Sequence, residues 1–232
     1  MVMNKKFLTF SFDDGVMQDI KVVKILNKYN LRATFNLNSG LFEHSFPLVW
    51  EGVNVERKVV SSSMVKEIYA GHEVAVHTVN HAMLTQLSDE EIVKEVVEDI
   101  HNLEALVGYK IEGMAYPRSD VNDRVLKVIK ERTPIKYART TVATHSLELQ
   151  ENLLKFNPSC RVFDDDMYSL ADELINFNGD MPRLLYIWAH CYEFDYKPGK
   201  YEKFEEFCKY ISGRNDITYC TNIEAFKALG QV

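Results

Sequence analysis

Short apolar runs alternate with amphipathic stretches along nearly the whole chain. Lys6 to Phe12 (KFLTFSF) reads as a strand, and Ile20, Val23 and Leu26 then recur at helical spacing between Met17 and Asn30. Ala33 to Leu37 is the next strand. The polar stretch Leu41 to Ser62, with Pro47, Gly52 and three serines, predicts a long loop or insertion. A short helix over Met64 to Ala70 stops at Gly71 and leads to a strand over Glu73 to His77. Ser88 and Glu91 form a capping box that opens a helix bearing Ile92, Val96, Ile100, Leu103 and Val107 and ending at Gly108.

A strand over Ile111 to Tyr116 precedes a helix over Val121 to Glu131 that stops before Pro134. Tyr137 to Thr141 and Leu153 to Phe156 are weaker strand signals, whereas Leu184 to Ala189 (LLYIWA) has the pattern of a fully buried strand. A helix over Tyr201 to Ile211, a strand over Ile217 to Cys220 and a second capping box, Thr221 with Glu224, complete the chain. Such alternation predicts a parallel α/β sheet, open or closed into a barrel, with reactive groups at the carboxyl ends of strands.

Composition narrows the function classes. The chain has 232 residues, and at ~150 residues per domain it would hold one or two domains. Its 27 Lys and Arg against 34 Asp and Glu give a net charge of −7, which offers no electrostatic case for nucleic acid or an anionic membrane. No stretch approaches the ~20 apolar residues of a membrane span, and the N-terminal residues lack the pattern of a secretory signal. Cys160, Cys191, Cys208 and Cys220 are widely spaced with no C-x-x-C, as expected of reduced thiols in a cytoplasmic protein.

The polar residues that stand out lie where strands end. Asp13-Asp14-Gly15 follows the first strand. As plain structure it is a turn with Asp14 capping the next helix, but where a strand ends and turns, both carboxylates can serve one site. His77 and His81, four residues apart after another strand, can reach one ion from a single turn of backbone. With Asp14 they would form a His₂Asp set that leaves a position open for water. His190 closes LLYIWA, either as a satisfied core residue or, if it faces the same mouth, as a general acid oriented by Glu193 or Asp195. The acidic run Glu90 to Asp99 reads as the solvated face of its helix, and most of the many aromatic residues read as core. Tyr116, Trp188, Tyr192 and Phe194 are the exceptions, near the mouth.

These residues resemble the motifs of the polysaccharide deacetylases, the NodB-homology family. Ser11-Phe12-Asp13-Asp14-Gly15 is similar to that family's T-F-D-D-G, Gly71-His72-Glu73 with His77-Thr78-Val79-Asn80-His81 to its G-H-E…H-[ST]-x-x-H, and Leu185 to His190 to its closing strand and histidine. The motifs occur in family order from residue 7 to about 190. The resemblance implies that Asp14, His77 and His81 hold a divalent metal, most often zinc, that Asp13 is the general base, and that His190 is the general acid. It also implies one distorted, TIM-like (β/α) barrel of about seven strands over residues 1–232, because Asp13 and His190 must meet in one site.

The chain departs from the family at the third motif, R-x-P-[YF]-G, where Ala115-Tyr116-Pro117-Arg118-Ser119 stands instead. The arginine that would steady the base is absent there, and Arg139 or Arg118 would have to replace it. Tyr116, Pro117 and Arg118 would still contact substrate. Asp164-Asp165-Asp166 is a candidate for the motif whose aspartate orients the acid histidine, but reads more readily as a solvated turn before the helix starting near Tyr168. The expected activity is hydrolysis of N-acetyl or O-acetyl groups on a carbohydrate, with a small acetylated substrate inside the cell favoured. The alternatives are an amidohydrolase on a small non-sugar amide and a barrel that binds metal or glycan without turnover.

Overall fold

The computed structural model describes residues 5–232; the first four residues of the N-terminal stretch lie outside that range. In chain order the elements are β1 (Lys6–Asp13), α1 (Asp19–Lys28), β2 (Ala33–Leu37), β3 (Ser45–Trp50), β4 (Val53–Lys58), α2 (Val65–Ile68), β5 (Glu73–Val76), α3 (Asp89–Val107), β6 (Gly113–Ala115) and α4 (Asp123–Arg132). There follow β7 (Tyr137–Arg139), β8 (Cys160–Arg161), α5 (Met167–Asn176), β9 (Arg183–His190), α6 (Lys200–Ile211), β10 (Ile217–Tyr219) and α7 (Asn222–Ala228).

β1 is buried along its whole length and works on both faces, as expected of a strand inside a parallel α/β sheet. Phe10 and Phe12 on one face meet Phe204 of α6 edge-on. Thr9, Ser11 and Asp13 turn to the other face, where Thr9 Oγ1 donates to Asn222 and Ser11 Oγ accepts from Arg139 Nε. β9 pairs with all of β1, while β10 takes its beginning and β2 its end. All pairings of this sheet are parallel, in the order β7-β6-β5-β2-β1-β9-β8 with β10 added to β1.

The sheet curls until its edges are bridged. Phe156 N donates to Ala138 O and Thr140 N to Phe156 O on one side, and Ser159 N donates to Tyr186 O on the other. Residues 156–161 thus span from β7 to β9, and the sheet forms the expected distorted (β/α) barrel. α7 fills the end where β1 begins, with Phe226 packed on Tyr137 and Phe156. Ile92, Val96, Ile100 and Leu103 of α3 are buried, and truncating one such side chain to Ala destabilises by about 2–5 kcal/mol. Both capping boxes form, all four cysteines are unbridged and buried, and among the described residues no helix is long and apolar enough to cross a membrane.

Two stretches differ from expectation. Residues 41–62 are not a loop throughout: β3 and β4 form an antiparallel hairpin, turned by Glu51 at φ 47° and Gly52 at φ 83°. Two central residues with positive φ suit the right-handed twist of a tight hairpin. Leu153–Lys155 is a turn rather than a strand, held by Asn152 Oδ1, which accepts from Leu154 N. The strand of this region is β8, beyond Pro158, and only Phe156 of the expected segment pairs, with Arg139.

Candidate active site

Parallel register brings Asp13, the last residue of β1, beside His190 at the end of β9 and Asn36 on β2. Asp14 then takes φ 77°. Gly15 follows at φ 63°, a conformation that favours glycine, and an added Cβ there would also have to displace the Leu37 Cδ2 methyl, 2.7 Å away. This turn aims the Asp14 carboxylate at the loop after β5. There, Thr78 at φ 65° and His81 at φ 54° bend the backbone sharply, and Asn38 Nδ2 donates to the carbonyls of His77 and Thr78.

The result is a cluster of Asp14, His77 and His81, whose candidate ligand atoms all lie within 4.8 Å of one another. Asp14 Oδ1 is 3.6 Å from His77 Nε2 and 3.5 Å from His81 Nε2. Tetrahedral ligands about 2.1 Å from a zinc ion stand about 3.4 Å apart, so this donor set fits a divalent metal. His77 Nδ1 donates to Ala115 O at 2.7 Å, which leaves the Nε2 lone pair toward Asp14. Burial and the neighbouring His77 push His81 down to about 4, so its ring stays neutral and able to ligate.

Asp13 is 2% exposed and Arg139 is fully buried. Arg139 Nη2 donates to Asp13 Oδ1, its Nε to Ser11 Oγ at 3.2 Å and its Nη1 to Thr140 O at 2.8 Å. Asn36 Nδ2 also donates to Asp13 Oδ1, at 2.9 Å. Burial alone would lift the Asp13 carboxyl, but Arg139, then His77 and His190, hold it at about 2. Arg139 therefore occupies the place expected for a steadying guanidinium, and Arg118 does not contact Asp13. β6–β7 register pairs Arg139 with Ala115, so the cation stands one strand over at the same level.

His190 Nδ1 donates to Glu193 Oε1 at 2.6 Å. Burial depresses the imidazole, but the Glu193 hydrogen bond together with Asp14 and Asp13 raises it above its ordinary value. Of the acidic residues considered for this role, Glu193 orients the ring. Asp195 accepts from Gln18 Nε2, Asp164 from Arg161 N, and Asp166 pairs with His145.

The third-motif segment needs correction. Tyr116 is 1% exposed with its hydroxyl donating to Leu154 O, and Pro117 is buried; neither lines the cavities described here. Arg118 does. Phe194 is likewise core at 1% exposure, while Trp188 and Tyr192 line the central cavity. Asp99, expected on a solvated helix face, is fully buried and accepts from His77 N at 3.1 Å and Ser39 N at 2.8 Å. Burial lifts its carboxyl to about 7. An acidic residue at the same helical spacing as Ile92, Val96 and Ile100 would have signalled this.

Two further arginines were not anticipated. Arg57, from the hairpin strand β4, places Nη1 3.4 Å from Asp14 Oδ2. Arg161, the last residue of β8, donates to Glu193 and lies over the Trp188 ring. The central cavity, about 340 Å³, contains both site aspartates and all three site histidines; an adjoining one of about 320 Å³ runs past Arg57 and Arg118 toward Phe46.

The family model for polysaccharide deacetylases matches residues 2–137, more than half of the chain. The chain belongs to the polysaccharide deacetylase family. A peptidoglycan-N-acetylglucosamine deacetylase of Bacillus cereus is 28% identical over 133 residues, 55% of this chain and 54% of its own length. A peptidoglycan-N-acetylmuramic acid deacetylase of Bacillus subtilis is 24% identical over 129 residues, 55% of this chain and 24% of its own. The chain thus spans about half or less of the length of these curated relatives. A family 4 carbohydrate esterase of Bacillus anthracis shares the fold with TM-score 0.63, covering 97% of this chain and 84% of that one at 14% identity. The polysaccharide deacetylase match includes Asp13, Asp14, His77, His81 and Arg118, whereas Arg139, His190 and Glu193 lie beyond it and join the site through the fold.

Proposed function

We propose that the protein is a metal-dependent deacetylase that hydrolyses the acetyl group of an N-acetylated, or secondarily O-acetylated, carbohydrate. The observation that carries this reading is the convergence on one cavity of a metal-type cluster, Asp14, His77 and His81, with an arginine-held carboxylate and a carboxylate-held imidazole. Asp14, His77 and His81 would hold the ion, and two imidazoles with one carboxylate suit zinc. Such an ion supplies Lewis-acid polarisation of the acetyl carbonyl and acidifies water.

The chain's own groups do the proton work. Asp13 is ionised at any working pH, fixed by Arg139 and Asn36, and accepts the proton of the attacking water. A carboxyl held at about 2 is a weak base, which fits a water acidified elsewhere in the site. His190 keeps its Nδ1 proton on Glu193, leaving Nε2 as the atom able to protonate the departing nitrogen. Its raised pKa keeps the ring charged to higher pH than an ordinary histidine. The carbonyl–nitrogen bond breaks, and acetate and a free amine result.

The test is His81→Ala, assayed for bound metal and for acetate released from N-acetylglucosamine oligomers. Loss of both is expected. Stoichiometric metal together with full acetate release would overturn the assignment.

A further inference from the structure

Two arginines line both cavities of the site. Among the described residues Arg118 makes no hydrogen bond or ion pair, is exposed at φ 55°, and lines both the central cavity and its neighbour. Arg57 lines both as well, its guanidinium resting on the Phe46 and Tyr192 rings at 5.0 and 5.4 Å. Trp188 and Arg161 also line the central cavity, with Trp188 only 6% exposed. Arginine and the indole N–H can only donate.

Two nearby carboxylates are held through one oxygen each. Asp13 takes hydrogen bonds from Arg139 and Asn36, and Glu193 from His190 and Arg161. Asp14 belongs to the metal-type cluster. A neutral sugar offers hydroxyls that both donate and accept, and would leave part of this rim unsatisfied. A carboxylate or phosphate offers acceptors only, matches arginine's planar donors, and is drawn to a positive mouth on a chain of net charge −7.

We infer that the site selects acetylated substrates carrying an anionic group, carboxylate or phosphate, which Arg118 and Arg57 receive beside the acetyl-binding centre. This specificity rests on the deacetylase reading above. It assigns Arg118 and Arg57 to substrate choice rather than to the chemical step.

The experiment compares kcat/KM of the metal-loaded protein on N-acetylglucosamine, its phosphorylated form and N-acetylmuramic acid, in wild type and in Arg118→Gln with metal content matched. An advantage of about tenfold or more for an anionic sugar is expected, in line with one charged hydrogen bond. That advantage should fall toward one in Arg118→Gln through KM, and should shrink as salt rises. The better anionic sugar separates carboxylate from phosphate. Equal or better turnover of the neutral sugar would overturn the inference, as would an anionic advantage untouched by Arg118→Gln. Calorimetric titration of the same three sugars into metal-loaded Asp13→Asn keeps the question separate from catalysis. If neither these sugars nor N-acetylglucosamine oligomers release acetate, the deacetylase reading fails, while tighter binding of the anionic sugars still supports the anion site and equal binding still rejects it.

Discussion

Arg139 reaches Asp13 from β7, a strand separated from β1 in the sheet by β6, β5 and β2. The contact exists because the sheet curls, bringing the end of β7 over the interior face of β1. Both groups are almost wholly buried, and a buried charge without its partner is costly.

Arg139→Ala should therefore lower kcat by about a hundredfold, by displacing the base. It should also lower stability by about 3 kcal/mol through the stranded Asp13 charge. Acetate-release kinetics and chemical denaturation measure the two effects. Because Ala115 is the register neighbour of Arg139, and register neighbours project from the same face of a sheet, adding Ala115→Arg to that variant should restore part of the lost kcat. No restoration would show that the level of the guanidinium is not what matters.

The pH profile should report the His190–Glu193 pair. As the proposed acid, His190 would act with its proton on, so kcat should fall as pH rises through its pKa, which Glu193 helps to hold above the ordinary value. Glu193→Gln removes the carboxylate and leaves burial, which favours the neutral ring. The alkaline limb of the kcat profile should then move down by about one unit or more. An alkaline limb that stays in place would exclude His190 as the acid.

Asp99 holds the backbone of His77 from behind through His77 N. Asp99→Ala should weaken metal affinity by about tenfold to a hundredfold, the usual range for groups that orient ligands. Competition against a chelator measures it, and kcat at saturating metal should change less than affinity does. Unchanged affinity would reduce Asp99 to a fold residue.

Much of the centre was readable from the chain because strand periodicity marks where strands end, and Asp13, Asp14, His77 and His190 lie at or just past such ends. The family resemblance is what implied their roles. What could not be read were contacts set by the curl of the sheet. Arg139 was a candidate for replacing the missing arginine, but only closure decides between it and Arg118. Arg57 was hidden because its hairpin is largely exposed: β4 (VNVERK) is mostly polar and β3 carries Pro47, so the stretch reads as loop. Asp99 was hidden by its acidic neighbours, which are solvated while it turns inward. Tyr116 was misplaced because a motif position says which turn a residue occupies, not which way its side chain points; this one goes to Leu154.

The most direct measurement strips the protein with a chelator, restores zinc in steps, and records bound ion and acetate release from an N-acetylated sugar in the same samples. The proposed chemistry predicts one tightly bound ion per chain and activity rising in proportion to it, with both lost in His81→Ala. Acetate release that persists in the stripped protein, or that is independent of the ion bound, would contradict it.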